Sequence, residues 1–121
     1  MKYLLLVYHN EQAWDKVSES AQQDALDESV RLCHELNANG RYLSASPLRP
    51  TLSAASVRMR DGRRFVTDGP FAETHEQLAG YFLVEAGTRD EAIDIAARIP
   101  GARWGTVEIR PVKDVDGLPD A

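Results

Sequence analysis

A single cysteine, Cys33, among 121 residues leaves nothing for an internal disulfide to close on, so the apolar core alone must hold this fold. Aromatics are sparse at 7%, and the 14 lysines and arginines are outnumbered by 19 aspartates and glutamates. The resulting formal charge of −5 excludes the broad basic surface from which duplex binders draw most of their affinity, and no nucleic acid is expected as a partner. No apolar run approaches the roughly 20 residues that span a bilayer. The start, Met1-Lys2 and then Tyr3 to Tyr8, turns polar too soon for a signal peptide. These absences point to a reducing, cytoplasmic setting without a membrane partner.

What is present has the ordinary balance of a globular domain, 43% hydrophobic and 27% charged. The length suits one domain, expected over residues 1–112, followed by a mobile tail at 113–121. Tyr3-Leu4-Leu5-Leu6-Val7-Tyr8 is apolar on both alternating faces, which fits a central strand covered on two sides. Ser20 with Gln23 three residues on reads as a capping box opening a helix. Along that helix Leu26, Val30 and Cys33, with Ala25, Leu32 and Leu36 beside them, form one broad stripe expected to be buried, and Asn39-Gly40 closes it.

Arg41 to Ala45 is a second short strand, stopped by Pro47 and Pro50. Ser56–Arg60 and Arg63–Thr67 flank Asp61-Gly62, the pair a two-residue type I′ hairpin requires. The arginines at 58, 60, 63 and 64 then sit at a solvated tip. Tyr81 to Ala86 is a strand, Thr88 with Glu91 caps a helix whose Ala92, Ile95, Ala96 and Ile99 face the core, and Trp104 to Arg110 is the last strand. The order is β-α-β, hairpin, β-α-β. It specifies an α+β class with a ferredoxin-like antiparallel sheet, two helices on one face and an inserted β-hairpin. Two helices cover one sheet face only, so the other face is expected to meet a second copy in a homodimer.

Between the hairpin and the next strand, Asp68-Gly69-Pro70-Phe71 at one end and Gly80 at the other restrict a polar loop enough to hold side chains in defined places. Asp68 could serve there as a general base or as a group orienting a ligand, in competition with a plain turn-closing role. His75, whose ordinary pKa lies near neutrality, is a second proton carrier in that scheme. Pro70, Phe71, Glu73, Glu76 and Tyr81 would border the ligand, and Arg110 could bind a carboxylate or phosphate through its planar fork. Phe71 suits an apolar anchor better than a stacking ring. Glu73, His75 and Glu76 are badly spaced to ligate a metal, and neither a phosphate loop nor a nucleophile elbow occurs, so no metal or cofactor is expected. Cys33 and His34, adjacent on a helix, point about 100° apart and make no thiolate–imidazole pair.

Lys2 to Tyr8, the run Val66-Thr67-Asp68-Gly69-Pro70-Phe71-Ala72-Glu73-Thr74-His75-Glu76-Gln77-Leu78-Ala79-Gly80-Tyr81-Phe82, then Ala97–Pro100 and Val107–Val112 resemble the DGPF branch of the YCII-related family over nearly the whole chain. The resemblance implies a ferredoxin-like domain that dimerises through its sheets into a dimeric α/β barrel. It implies a small-molecule enzyme by analogy with other such barrels. It also implies an alternative, a non-catalytic regulatory module that binds a protein partner linked to extracytoplasmic-function sigma factors. The wider family's proposed His-Asp pair has its histidine in the first helix; Ser29 stands near that place in this chain.

Overall fold

Alternation in β1 (Lys2–His9) decides the architecture: Tyr3, Leu5 and Val7 are buried, while Leu4, Leu6 and Tyr8 on the opposite face are half-buried. In the computed structural model, which describes residues 1–119, β1 lies between β5 (Gln77–Glu85) and β6 (Thr106–Pro111) and is antiparallel to both. β2 (Tyr42–Pro47) pairs on the outer side of β5, giving the ferredoxin-like order β2-β5-β1-β6 in one four-stranded sheet. A separate two-stranded sheet is made by β3 (Ala55–Arg60) and β4 (Arg63–Asp68). The turn between them holds Asp61 at φ 52° and Gly62 at φ 72°, the left-handed pair that a type I′ hairpin requires.

Two long helices, α2 (Glu19–Ala38) and α3 (Arg89–Ala97), cover one face of the larger sheet. Leu32 and Leu36 of α2 and Ala92, Ile95, Ala96 and Ile99 at α3 join Tyr3, Leu5, Val7, Phe82 and Val84 of the strands in a single core. Thr88 caps α3 by accepting from the Glu91 N–H, and the Glu91 carboxylate accepts in turn from the Gly87 N–H at 2.7 Å. Gly40, at φ 71°, ends α2 where a left-handed residue is needed.

Several local expectations are corrected. Helix α2 begins two residues earlier than its Ser20 capping box implies, because Ser18 accepts from the Ala21 N–H instead. The polar connection after β1 contains a one-turn helix, α1 (Glu11–Asp15), capped by Asn10. Strand β5 starts at Gln77, so Gly80 lies inside a strand and closes no loop. Trp104 belongs to a short helix, α4 (Gly101–Trp104), and β6 begins only at Thr106. Of the stripe expected to be buried on α2, Leu26 and Val30 are 45% and 48% exposed. The first half of the helix stands away from the sheet. Of the expected mobile tail, residues 120 and 121 lie outside the described part.

The short α4 approaches β1 closely enough to exclude side chains. A methyl on Gly105 would lie 2.0 Å from the Tyr8 carbonyl oxygen, so the backbone would have to move. Gly105→Ala is expected to lower unfolding free energy by about 1–3 kcal/mol, and Leu5→Ala, at a fully buried position, by about 2–5 kcal/mol. Urea denaturation of each variant beside the parent chain measures both.

Candidate functional site

Where the first half of α2 stands off the sheet, a cavity of about 240 Å³ opens between them. Its floor is strand: Val7 and His9 of β1, Ala45 of β2, and Gly80 and Phe82 of β5. Its helical wall is Gln22, Ala25, Leu26, Ser29, Val30 and Cys33, and Trp14 and Trp104 stand at one end with Ile99, Pro100 and Gly101. The wall residues recur at the helix period along one side of α2. Four of them, Ala25, Leu26, Val30 and Cys33, belong to the stripe that sequence periodicity assigned to the core. Among the described residues, no lysine, arginine, aspartate or glutamate lines the cavity.

His9 reaches this place by alternation, two residues after Val7 on the same face of β1, beside an irregularity in the pairing strand β5. Pairing with β5 slips between Val7 and Tyr8, Val7 facing Gly80 while Tyr8 faces Leu78, which leaves Ala79 as the extra residue of a bulge. The imidazole stacks on Trp14, with ring centroids 5.1 Å apart and planes 19° from parallel. Trp14 in turn meets Trp104 edge to face at 5.4 Å. Burial pulls the His9 pKa below its ordinary value of 6.5, against the opposing pull of the Glu11, Asp15 and Glu76 carboxylates. A neutral imidazole at neutral pH can accept a proton at one nitrogen and donate at the other.

The surrounding frame is polar and tightly tied. Asn10 accepts from the Ala13 N–H with Oδ1 and donates from Nδ2 to the His75 carbonyl at 2.7 Å. The Glu11 carboxylate accepts from both the N–H and the hydroxyl of Thr51 at 2.8 Å, and its own N–H donates to Gln77 Oε1. Glu76 accepts from Thr106 Oγ1 at 2.9 Å. At the other side of α2, Arg103 forks onto both oxygens of Glu28 at 2.9 and 3.0 Å, which holds the Glu28 carboxyl below its ordinary range. Arg98 is paired with Glu35 two helical turns further on.

Burial raises the Cys33 pKa, so its thiol stays protonated and is a weak nucleophile at neutral pH. Ser29 Oγ donates to the Ala25 carbonyl at 3.0 Å. Neither is activated by a neighbouring base.

The candidates drawn from the sequence are placed elsewhere. Asp68, Pro70, Glu73 and His75 are exposed, and Phe71 is 81% exposed and anchors nothing. The loop's first end is tied to the hairpin base, with Gly69 N–H donating to Ala54 and Ser56 Oγ to the Gly69 carbonyl. Its second end reaches the pocket rim only through the His75 carbonyl and Glu76. Tyr81 borders the cavity, but its hydroxyl sits 3.1 Å from Ser44 Oγ on the face of Leu4 and Leu6. Arg110 lies opposite Leu4, at the far end of β1 from His9, and pairs with Glu108 at 3.5 Å. What the sequence did not single out is His9 with Trp14, Trp104 and the Ser29 side of α2. Two signals were present: Ser29 interrupting an apolar stripe, and Gly80 inside a strand-like run, a mark of a bulge.

A YCII-related domain matches residues 1–116. The chain belongs to that family. It is 36% identical over 124 residues to "Uncharacterized protein R00369" from Rhizobium meliloti (strain 1021), a match covering 93% of this chain and 92% of the relative. Among solved structures, the family member shares its fold with 5-chloro-2-hydroxyhydroquinone dehydrochlorinase (TftG) from Burkholderia phenoliruptrix AC1100, in complex with 2,5-dihydroxybenzoquinone. The TM-score is 0.54 at 15% identity, over 93% of this chain and 94% of that one. At that identity the likeness establishes a shared architecture and nothing about chemistry.

The His9 environment has a measurable consequence. Its imidazole is expected to titrate below 6.5 when followed by the NMR shift of its ring protons. With a depressed folded-state value, the unfolded chain binds more protons at acid pH, so this group's stabilisation is full above 6.5 and declines as pH falls through the lower value. His9→Phe keeps a ring against Trp14 and is expected to remove that part of the acid dependence in a thermal melt series.

Proposed function

We propose that this YCII-related domain binds a small, planar, uncharged molecule carrying an ionisable hydroxyl, and that His9 accepts and returns that proton. The observation that carries this reading is a half-buried imidazole, kept neutral by burial, in an apolar cavity without a single charged side chain in its lining. A carboxylate or phosphate would find no counter-ion there and would meet Glu11, Asp15 and Glu76 beside His9. The size supports the same class, since about 240 Å³ falls below the roughly 300–1,000 Å³ of drug-sized sites. A one-ring compound in the structural neighbour supports the scale. Acid/base chemistry thus moves from the Asp68 and His75 loop to His9, with no cofactor required for the proton transfer itself.

The working unit in this proposal is a homodimer in the cytoplasm. Leu4, Leu6 and Leu83 lie on the sheet face that no helix covers, and a second copy would cover them. No described helix is long and apolar enough to cross a membrane.

Trp14 and Trp104 are the two tryptophans of the chain and both border the cavity, so intrinsic fluorescence reports occupancy. Phenol and hydroquinone are expected to quench it saturably, and benzoate not. Ser29→Phe, which fills the cavity, should weaken binding tenfold or more, about 1.4 kcal/mol. Asp68→Asn and His75→Gln should leave affinity within twofold. Loss of binding in Asp68→Asn with Ser29→Phe unaffected would return the site to the loop. A stoichiometric sigma-factor-linked protein in a cytoplasmic pull-down, with no quenching by either phenol, would favour the regulatory alternative.

A further inference from the structure

The β3–β4 hairpin is built like a part awaiting a partner. Among the described residues its strands pair only with each other, and all of their residues but Ser56 are exposed. A two-stranded hairpin alone is marginally stable in water. This one also displays apolar side chains where solvent would favour polar ones. Val57 and Val66 face each other across the ladder at 61% and 58% exposure, with Met59 two residues on along the same face, opposite Arg64. Leu52, just before the hairpin, and Phe71, just after it, are 95% and 81% exposed.

Its charge is opposite to that of the rest of the molecule. Arg58, Arg60, Arg63 and Arg64 stand against Asp61 and Asp68 in a chain whose formal charge is −5, so the remaining body is more acidic than the whole. Among the described residues none of the four arginines makes an ion pair. On the body, Glu19, Asp24 and Asp27 are exposed along α2. The hairpin follows edge strand β2 after a short turn whose Thr51 is bonded to Glu11.

We propose that the β3–β4 hairpin is an intersubunit arm that lies on a second copy of this chain, its Val57, Met59 and Val66 face extending the sheet-to-sheet contact and its arginines against the partner's acidic body. This rests on the homodimer of the proposed function and adds the element that secures it. By two-fold symmetry each protomer gives one arm and receives one. Charge complementarity favours this occupant over nucleic acid, because the body that would follow the arm toward phosphates is acidic.

The test uses the full chain, measuring mass by light scattering across micromolar concentrations and amide exchange over residues 55–68. The parent chain is expected to run at twice 13.5 kDa, with arm amides protected in proportion to dimer. Val57→Lys/Val66→Lys changes exposed positions, so circular dichroism should be unaltered while the dimer dissociation constant rises thirtyfold or more. Arg58→Glu/Arg64→Glu should do the same, and added salt should weaken the parent dimer. A monomeric parent chain would overturn both the arm and the homodimer. A dimer unchanged in both variants, with arm amides exchanging freely, would overturn the arm alone. An unchanged dimer with salt-sensitive duplex binding that the arginine variant loses would reassign the arm to nucleic acid.

Discussion

Everything in this domain is arranged around β1, a strand bonded on both edges and apolar on both faces. Its odd-numbered side chains, Tyr3, Leu5 and Val7, make the floor on which α2 and α3 settle. Its even-numbered ones, Leu4 and Leu6, face away from the helices and are left for another surface to cover. A strand with one polar face would support a helix layer equally well and would leave no apolar surface on the other side. At its end the same strand delivers His9 and Asn10, so the element that nucleates the core also supplies the imidazole and the cap that ties the rim together.

The pocket is the consequence of an incomplete contact. A helix of 20 residues is roughly 30 Å long, yet α2 buries only Leu32 and Leu36 against the sheet. Its second half is seated by these leucines and flanked by the Arg98–Glu35 pair, with Arg103–Glu28 at the helix midpoint. Beside its first half the rings of Trp14 and Trp104 stand at the end of the cavity. Ordinary close packing would have filled that gap. That it stays open and apolar, with one titratable ring at its end, is what distinguishes it from a defect.

Much of the fold was legible in the residues. The Asp61-Gly62 turn, the Thr88 cap, the Asn39-Gly40 stop and the central place of β1 each follow from the chain near them, and each was placed by local chemistry. Errors fell where two local signals competed. Ser18 and Ser20 both suit an N-cap, and only Ser18 meets the helix at the right turn. Trp104 continued an apolar alternation, yet Pro100 started a short helix first. The site was far less legible. Asp68, Pro70, Phe71 and His75 form the most distinctive run in the chain, but distinctiveness of sequence is not concavity, and the structure sets them at the surface.

The amino-acid sequence by itself determined the family, the element order, the charge of each part and the identity of the core strands, because these follow from turn chemistry, capping and period-two alternation within a few residues. Only the tertiary structure decided that Leu26, Val30 and Cys33 line a cavity instead of filling a core, and that His9 stands beside Trp14. The physical reason is that periodicity records which side of a helix is apolar, but not how far that side stands from its neighbour. Separation is a property of how the whole helix seats on the sheet, here through Leu32 and Leu36 alone, and the rings that complete the cavity come from positions as distant as 14 and 104.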